Sequence, residues 1–143
     1  QSFIRAAGSL GWAFPASLGA KCAVGDRPVY CFCGDGALWY HVGELETAKR
    51  WNVNTVTVVN NNSVLGQCLL GIGRAYRDDE GRREDMSAFE PTNFAELAES
   101  MGCTGIRVTD PAKIGDAIRE ASEAGGPAVV DVVTDPTAHP TLN

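Results

Sequence analysis

Apolar and polar positions along the chain follow two rhythms in turn. Residues 12–24 carry small and apolar side chains at helical spacing: Ala13, Ala16, Ala20 and Ala23 form a stripe that permits close contact, and Pro15 suits a first turn. Gly25 and Pro28 close that predicted helix. The continuous apolar run from Val29 to Cys33 predicts a buried strand, ended by the turn Gly34-Asp35-Gly36. The segment that follows, to about Trp51, places Val42, Leu45 and Ala48 on one helical face. Thr55 to Val59, rich in β-branched residues, predicts the next strand.

From Ser63 to Pro91 the rhythm lapses. The run Arg74 to Asp85 is strongly charged and reads in two ways: a solvated loop or irregular insertion serving as a lid, or a plain exposed connector. Regularity returns at Asn93, a helix N-cap with Glu96 three residues on; Phe94, Leu97, Ala98 and Met101 form one face, ended by Gly102. Gly105 to Val108 predicts a short strand. Asp110-Pro111 supplies a cap and a first helical position, and Ile114, Ala117, Ile118 and Ala121 continue the helix. Gly125-Gly126-Pro127 stops it before the strand Ala128 to Val133. The tail, Thr134 to Asn143, holds two prolines and is expected to drape over the surface or a neighbour. Strands alternating with helices predict an α/β fold: a doubly wound, mainly parallel sheet with helices on both faces, in one domain spanning 1–143.

Composition narrows the classes. The 143 residues suffice for a hydrophobic core, and 44% of them are hydrophobic. No apolar stretch approaches the roughly 20 residues that cross a bilayer. The first residue is Gln1, not Met, and no basic-then-apolar signal pattern follows, which suits a fragment or a processed product. A formal charge of −6 argues against nucleic acid and anionic membranes as partners. Five cysteines, Cys22, Cys31, Cys33, Cys68 and Cys103, show no zinc-type spacing. Cys31 and Cys33 share one strand face and are poorly placed to bridge each other. Free buried thiols in a reducing compartment, hence a cytoplasmic protein, are the expectation.

Asp35 and Asn62 each stand where a predicted strand runs out. Alone, Gly34-Asp35-Gly36 or Asn60-Asn61-Asn62 reads as a turn or cap. Together they place an acid and an amide at the carboxyl ends of parallel strands, where ligands bind. Glycines beside them allow close backbone approach, which suits a hard cation bridging to a phosphate.

The same residues carry a family likeness. Gly34-Asp35-Gly36, 24 residues, then Asn61-Asn62 resembles the thiamine-diphosphate-binding signature. The lead-in from Gly8 to Ala20 is similar to that of benzoylformate decarboxylases and acetolactate synthases. Glu44-Leu45-Glu46-Thr47 and Leu65-Gly66 fall at family spacing. The resemblance covers nearly the whole chain, as the C-terminal, diphosphate-binding domain of such enzymes or one subunit of a split one.

The resemblance implies roles. Asp35 and Asn62 would ligate Mg²⁺ through side-chain oxygens, and Val64 through its carbonyl. Two diphosphate oxygens and a water would complete the octahedron. Gly34, Gly36, Ala37, Leu65 and Gly66 would line the diphosphate, with the Gly36 and Ala37 N–H groups toward phosphate oxygens. Many relatives have Ser where Ala37 stands. Gly8 would offer its carbonyl to the aminopyrimidine, and Leu10 would prop the cofactor in its bent form; read without the family, Leu10 is a core leucine.

The implied reaction is decarboxylation of a small 2-oxo acid, then protonation or transfer of the acyl-carbanion equivalent. A homodimer or homotetramer is implied. So is a pyrimidine-binding domain or subunit, bearing the activating glutamate; Glu44 and Glu46 lie in the wrong segment for that role. Acetolactate synthases carry a substrate-contacting tryptophan where this chain has Gly71. His41 reads as a packing or surface histidine more readily than as a general acid, and His139 as solvated. Trp39 and Tyr40 are expected to pack against a neighbouring domain. The rival readings are a non-catalytic module that keeps the cofactor site, and a Mg²⁺-dependent phosphotransfer or receiver-type domain. The second would want an acid cluster or a phosphate-gripping lysine, and neither appears near Gly34.

Overall fold

Four strands lie parallel in one sheet, in the order β1-β2-β4-β3: β1 Tyr30–Gly34, β2 Val56–Asn61, β3 Thr104–Val108 and β4 Ala128–Val133. The structure is a computed structural model and describes residues 2–5, 8–78 and 81–138. The helices are α1 Ala13–Val24, α2 Asp35–Trp39, α3 Glu44–Arg50, α4 Gly66–Ala75, α5 Phe94–Ser100 and α6 Ile114–Glu123, with 3₁₀ turns at Arg83–Met86 and Pro111–Lys113.

The direction of travel along the sheet decides which face each helix covers. A parallel crossover is right-handed, so reversing direction moves the helix to the other face. From β1 to β2 and on to β3 the chain advances, and α1, α2, α3 and α5 pack on one face around Phe14, Leu18, Leu38, Leu45, Val59, Phe94, Ala98 and Val129. The step from β3 back to β4 reverses, and α6 lies on the opposite face against Val56, Val108, Val130 and Val132. Helices therefore cover both faces, as expected. Helix α6 meets only the start of β1, through a 3.2 Å hydrogen bond between Tyr30 and Ser122, and Phe32 is left 74% exposed.

Several expectations change in detail. Helix α1 buries Phe14, Ser17 and Leu18, and the alanine stripe faces more outward, with Ala23 exposed. The predicted helix after Gly36 is two helices. The turn Tyr40–Gly43 separates them, where Glu44 N donates to the His41 carbonyl in a tight three-residue bond and Gly43 has low helix propensity. Strand β2 runs two residues further than expected, so Asn60 and Asn61 belong to the sheet and Asn62 follows it.

The lapse from Ser63 onward conceals helix α4. Gly66, Gly71 and Gly73 lower its intrinsic propensity, and no side chain caps its start. Within the charged run, Arg82 pairs with Asp85 on the surface. The chain then returns: Phe89 N donates to Ser63 O, and Leu65 N to Ser87 O, both at 2.8 Å. Cys31, Cys33 and Cys103 are buried, whereas Cys22 and Cys68 are exposed, contrary to the expectation of five buried thiols. Thr134 N donates to Asn61 O, tying the start of the tail to β2. His139 lies outside the described residues.

The caps read from sequence are present. Asn93 Oδ1 accepts from the N–H groups of Ala95 and Glu96, Asp110 Oδ1 accepts from Ala112 N, and Gly102 and Gly125 take positive φ after their helices.

Candidate functional site

Asp35 opens α2 as β1 ends, and β2 ends beside it: Gly34 and Asn60 are register partners in neighbouring strands. Asp35 is only 3% exposed. Its Oδ1 accepts the Gly36 N–H at 2.6 Å, while Oδ2 is buried with no hydrogen-bond partner. The N–H groups of Asn62, Ser63 and Val64 face the carboxylate closely enough to favour its charge, yet outside hydrogen-bonding geometry to Oδ2. Burial is the larger influence and pushes the Asp35 carboxyl above the usual range. A buried, half-satisfied carboxylate is costly to leave so. A cation at Oδ2 would satisfy it, so the residues present fit a metal here.

The opposite wall is the turn after β2. Asn62 is half-buried and its Oδ1 accepts from Val64 N at 3.3 Å. Ser63 between them takes φ 57°, a left-handed conformation that a non-glycine residue adopts at a cost. Val64 is buried, and the returning segment 87–89 brackets it. The chain thus brings together Asp35, Gly36, Asn62, Val64, Leu65 and Gly66, with Gly34 and Ala37 flanking Asp35 and Gly36. Glycine suits position 36: a Cβ there would lie 2.7 Å from Leu65 Cδ2 and 3.3 Å from Phe89 Cε2, so those side chains would have to shift.

Gly8 and Leu10 sit in a separate turn before α1. Gly8 and Gly11 have φ 87° and 89°, and Leu10 is 49% exposed, so it is not a core leucine. Gly11 must lack a side chain: a Cβ would meet Tyr40 Cβ at 2.8 Å and His41 Cδ2 at 3.2 Å. His41 therefore packs against this turn, in line with the packing reading. Tyr40 is exposed, while Trp39 tilts onto Phe94 with ring centroids 5.1 Å apart. Behind Asp35, a hydrogen bond with Cys31 and burial push the Cys33 thiol up. Glu46 pairs with Arg50 at 2.9 Å on the surface of α3.

One buried group escaped the sequence reading. Asp131, within the apolar run of β4, is fully buried and accepts from Asn61 Nδ2, Phe94 N and Arg107 Nη1. An acid inside a strand buried on both faces demands such partners, and that demand was its legible signal. Among the described residues no cluster of three or more His, Cys, Asp or Glu side chains gathers to hold a metal, so a cation here relies on amide, carbonyl and ligand oxygens. Among them, too, no helix is long and apolar enough to cross a membrane.

Comparison with known proteins agrees in kind. The thiamine pyrophosphate enzyme, C-terminal TPP binding domain, matches residues 1–132. A putative acetolactate synthase large subunit of Mycobacterium tuberculosis is 34% identical over 88% of this chain and 25% of its own length. The acetolactate synthase large subunit of Haemophilus influenzae is 33% identical over 93% of this chain and 23% of its own. The solved structure of the thiamine diphosphate-dependent 4-hydroxybenzoylformate decarboxylase of Rhodococcus jostii RHA1 superposes with a TM-score of 0.75 at 28% identity, covering 88% of this chain and 23% of that one. The chain thus spans about a quarter of the length of these relatives.

Proposed function

Because the chain belongs to the thiamine pyrophosphate enzymes, as their C-terminal TPP-binding domain, we propose that it supplies the Mg²⁺ and diphosphate half of the active site of a 2-oxo acid decarboxylase or carboligase. The carrying observation is the buried Asp35 carboxylate, unpartnered at Oδ2 and faced by the Asn62–Val64 turn. Asp35, Asn62 and the Val64 carbonyl would hold the cation. Gly36 and Ala37 offer backbone N–H groups to the diphosphate at the start of α2. In this structure the Gly36 donor is engaged by Asp35 itself, so reaching a phosphate oxygen requires the carboxylate to turn toward the cation. Gly34, Leu65 and Gly66 would line the diphosphate beside them.

Thiamine diphosphate, when bound, supplies the electron sink for loss of CO₂ from a 2-oxo acid. This chain's residues bind and orient it. Leu10, half-exposed on the turn between Gly8 and Gly11, would serve as the buttress for the cofactor, and Gly8 would offer its carbonyl to the aminopyrimidine. Neither Glu44 nor Glu46 serves as the activating glutamate: both belong to α3, and Glu46 is paired with Arg50. That group comes from a pyrimidine-binding domain or subunit, so residues 1–143 act as one domain of a larger assembly, a homodimer or homotetramer. Gly71 lies exposed on α4, with nothing within 4 Å of a Cβ added there. At this position the chain lacks the tryptophan carried by acetolactate synthases.

The test is CO₂ release by the assembled enzyme across a panel of small 2-oxo acids, with thiamine diphosphate and Mg²⁺. Turnover of at least one supports the proposal. Tight cofactor binding without any turnover favours the non-catalytic module instead.

A further inference from the structure

We propose that Asp131 is a positioning residue for the cation turn, acting through Asn61; this rests on the metal site proposed above. Asp131 lies far down β4, opposite Val59 in the register, and is 0% exposed. Its Oδ1 accepts from Asn61 Nδ2 at 2.8 Å, and its Oδ2 accepts from Phe94 N at 3.0 Å and Arg107 Nη1 at 2.6 Å. Asn61 is the last residue of β2, directly before Asn62.

Asn61 has no freedom in this arrangement. Its amide nitrogen donates both to Asp131 and to the Thr92 carbonyl, each at 2.8 Å, so both N–H groups are used and the amide cannot flip without loss. Its own carbonyl accepts from Thr134 N at 2.8 Å. Asn60, one residue earlier, is held at its Oδ1 by the Thr134 hydroxyl. The β2 end is therefore anchored to β4 and to the loop before α5, and the left-handed Ser63 turn starts from a fixed point.

The same carboxylate reaches the other half of the site. It holds the first N–H of α5, and the Phe94 ring of that residue packs on Trp39 at the end of α2, the helix that begins at Asp35. The approach of α5 is close enough that a Cβ at Gly105 would fall 2.1 Å from the Ala95 carbonyl oxygen. One buried acid thus fixes the strand leading to Asn62 and, through Phe94, the helix carrying Asp35. A buried ion pair such as Asp131–Arg107 is poor evidence for stability on its own, because desolvation offsets the attraction. Its partners here are the groups that set the spacing of two cation ligands.

The experiment titrates Mg²⁺ into the assembled enzyme at saturating thiamine diphosphate, well below the melting temperature, for wild type, Asp131→Asn, Asn61→Ser and the double variant. Positioning predicts a loss of Mg²⁺ affinity of about 10-fold or more in each single variant. The double variant should lose no more than the weaker-binding single one. A role in stability alone lowers the melting temperatures and leaves Mg²⁺ affinity unchanged, which overturns the inference. Should Asp131→Asn not fold, Asn61→Ser decides alone by the same criterion. If wild type itself takes up no Mg²⁺, the functional reading falls, and this inference with it; unchanged variants beside a binding wild type overturn only the inference.

Discussion

The Asp35 carboxylate accepts the N–H of the next residue, Gly36, at 2.6 Å, and by doing so leaves its other oxygen buried and unpartnered. That asymmetry separates a ligand from a structural acid. Asp131, equally buried, has donors on both oxygens. Asp35→Ala should therefore abolish Mg²⁺-dependent cofactor binding while the fold survives, with an unchanged circular dichroism spectrum and a cooperative melt. Global unfolding of the variant with cofactor affinity retained contradicts the role.

Asp35 also sets a pH dependence. Burial raises its folded pKa above the unfolded value, so the metal-free native state holds this proton more tightly than the unfolded chain. Its penalty on stability is absent below the ordinary aspartate pKa of about 4 and fully present above the raised value. Within that window the metal-free protein should gain stability as pH falls. Mg²⁺ competes with the same proton, so stabilisation by Mg²⁺ and thiamine diphosphate should shrink over the same range. Melting curves across pH, with and without ligands, check both trends. Asp35→Ala should flatten them, and an unchanged profile in that variant assigns the dependence elsewhere.

Leu10→Ala tests the buttress. The side chain is half-exposed on a turn, so truncation should cost little stability. Exchange of the cofactor C2 proton in the assembled enzyme should slow by about tenfold or more, equivalent to at least 1.4 kcal/mol of barrier. Cofactor affinity should change less. Unchanged exchange removes Leu10 from the mechanism.

Gly105→Ala tests how α5 is seated. The added Cβ would meet backbone, with the Ala95 carbonyl carbon at 2.6 Å as well as its oxygen at 2.1 Å, so no side chain can yield. A loss of about 1–3 kcal/mol or more is expected, read as a lower urea midpoint at constant slope. A midpoint within error of wild type means α5 is not held as described.

Much of this was legible in the chain, for physical reasons that also mark the limits. Asp35 and Asn62 stood out because a polar residue ending a buried strand needs a use. The strands from Val56 and Ala128 read well because apolar β-branched runs have few alternatives. Helix α4 did not, because its three glycines weaken the propensity on which the reading depends. Read without the family likeness Leu10 is a core leucine, and its exposure on a turn removes that alternative to the buttress. Asp131 was passed over as one more strand residue, since its partners at 61, 94 and 107 meet only once the sheet order β2-β4-β3 is known. Pattern along the chain finds ligands at strand ends, whereas the network that holds them is a product of topology.

The central claim is a Mg²⁺-dependent thiamine diphosphate site, and titration calorimetry on the assembled protein measures it most directly. With Mg²⁺ present, one equivalent of thiamine diphosphate should bind per chain, and removing the cation with a chelator should abolish that binding. Failure to bind with Mg²⁺ present, or equal affinity without it, would contradict the account.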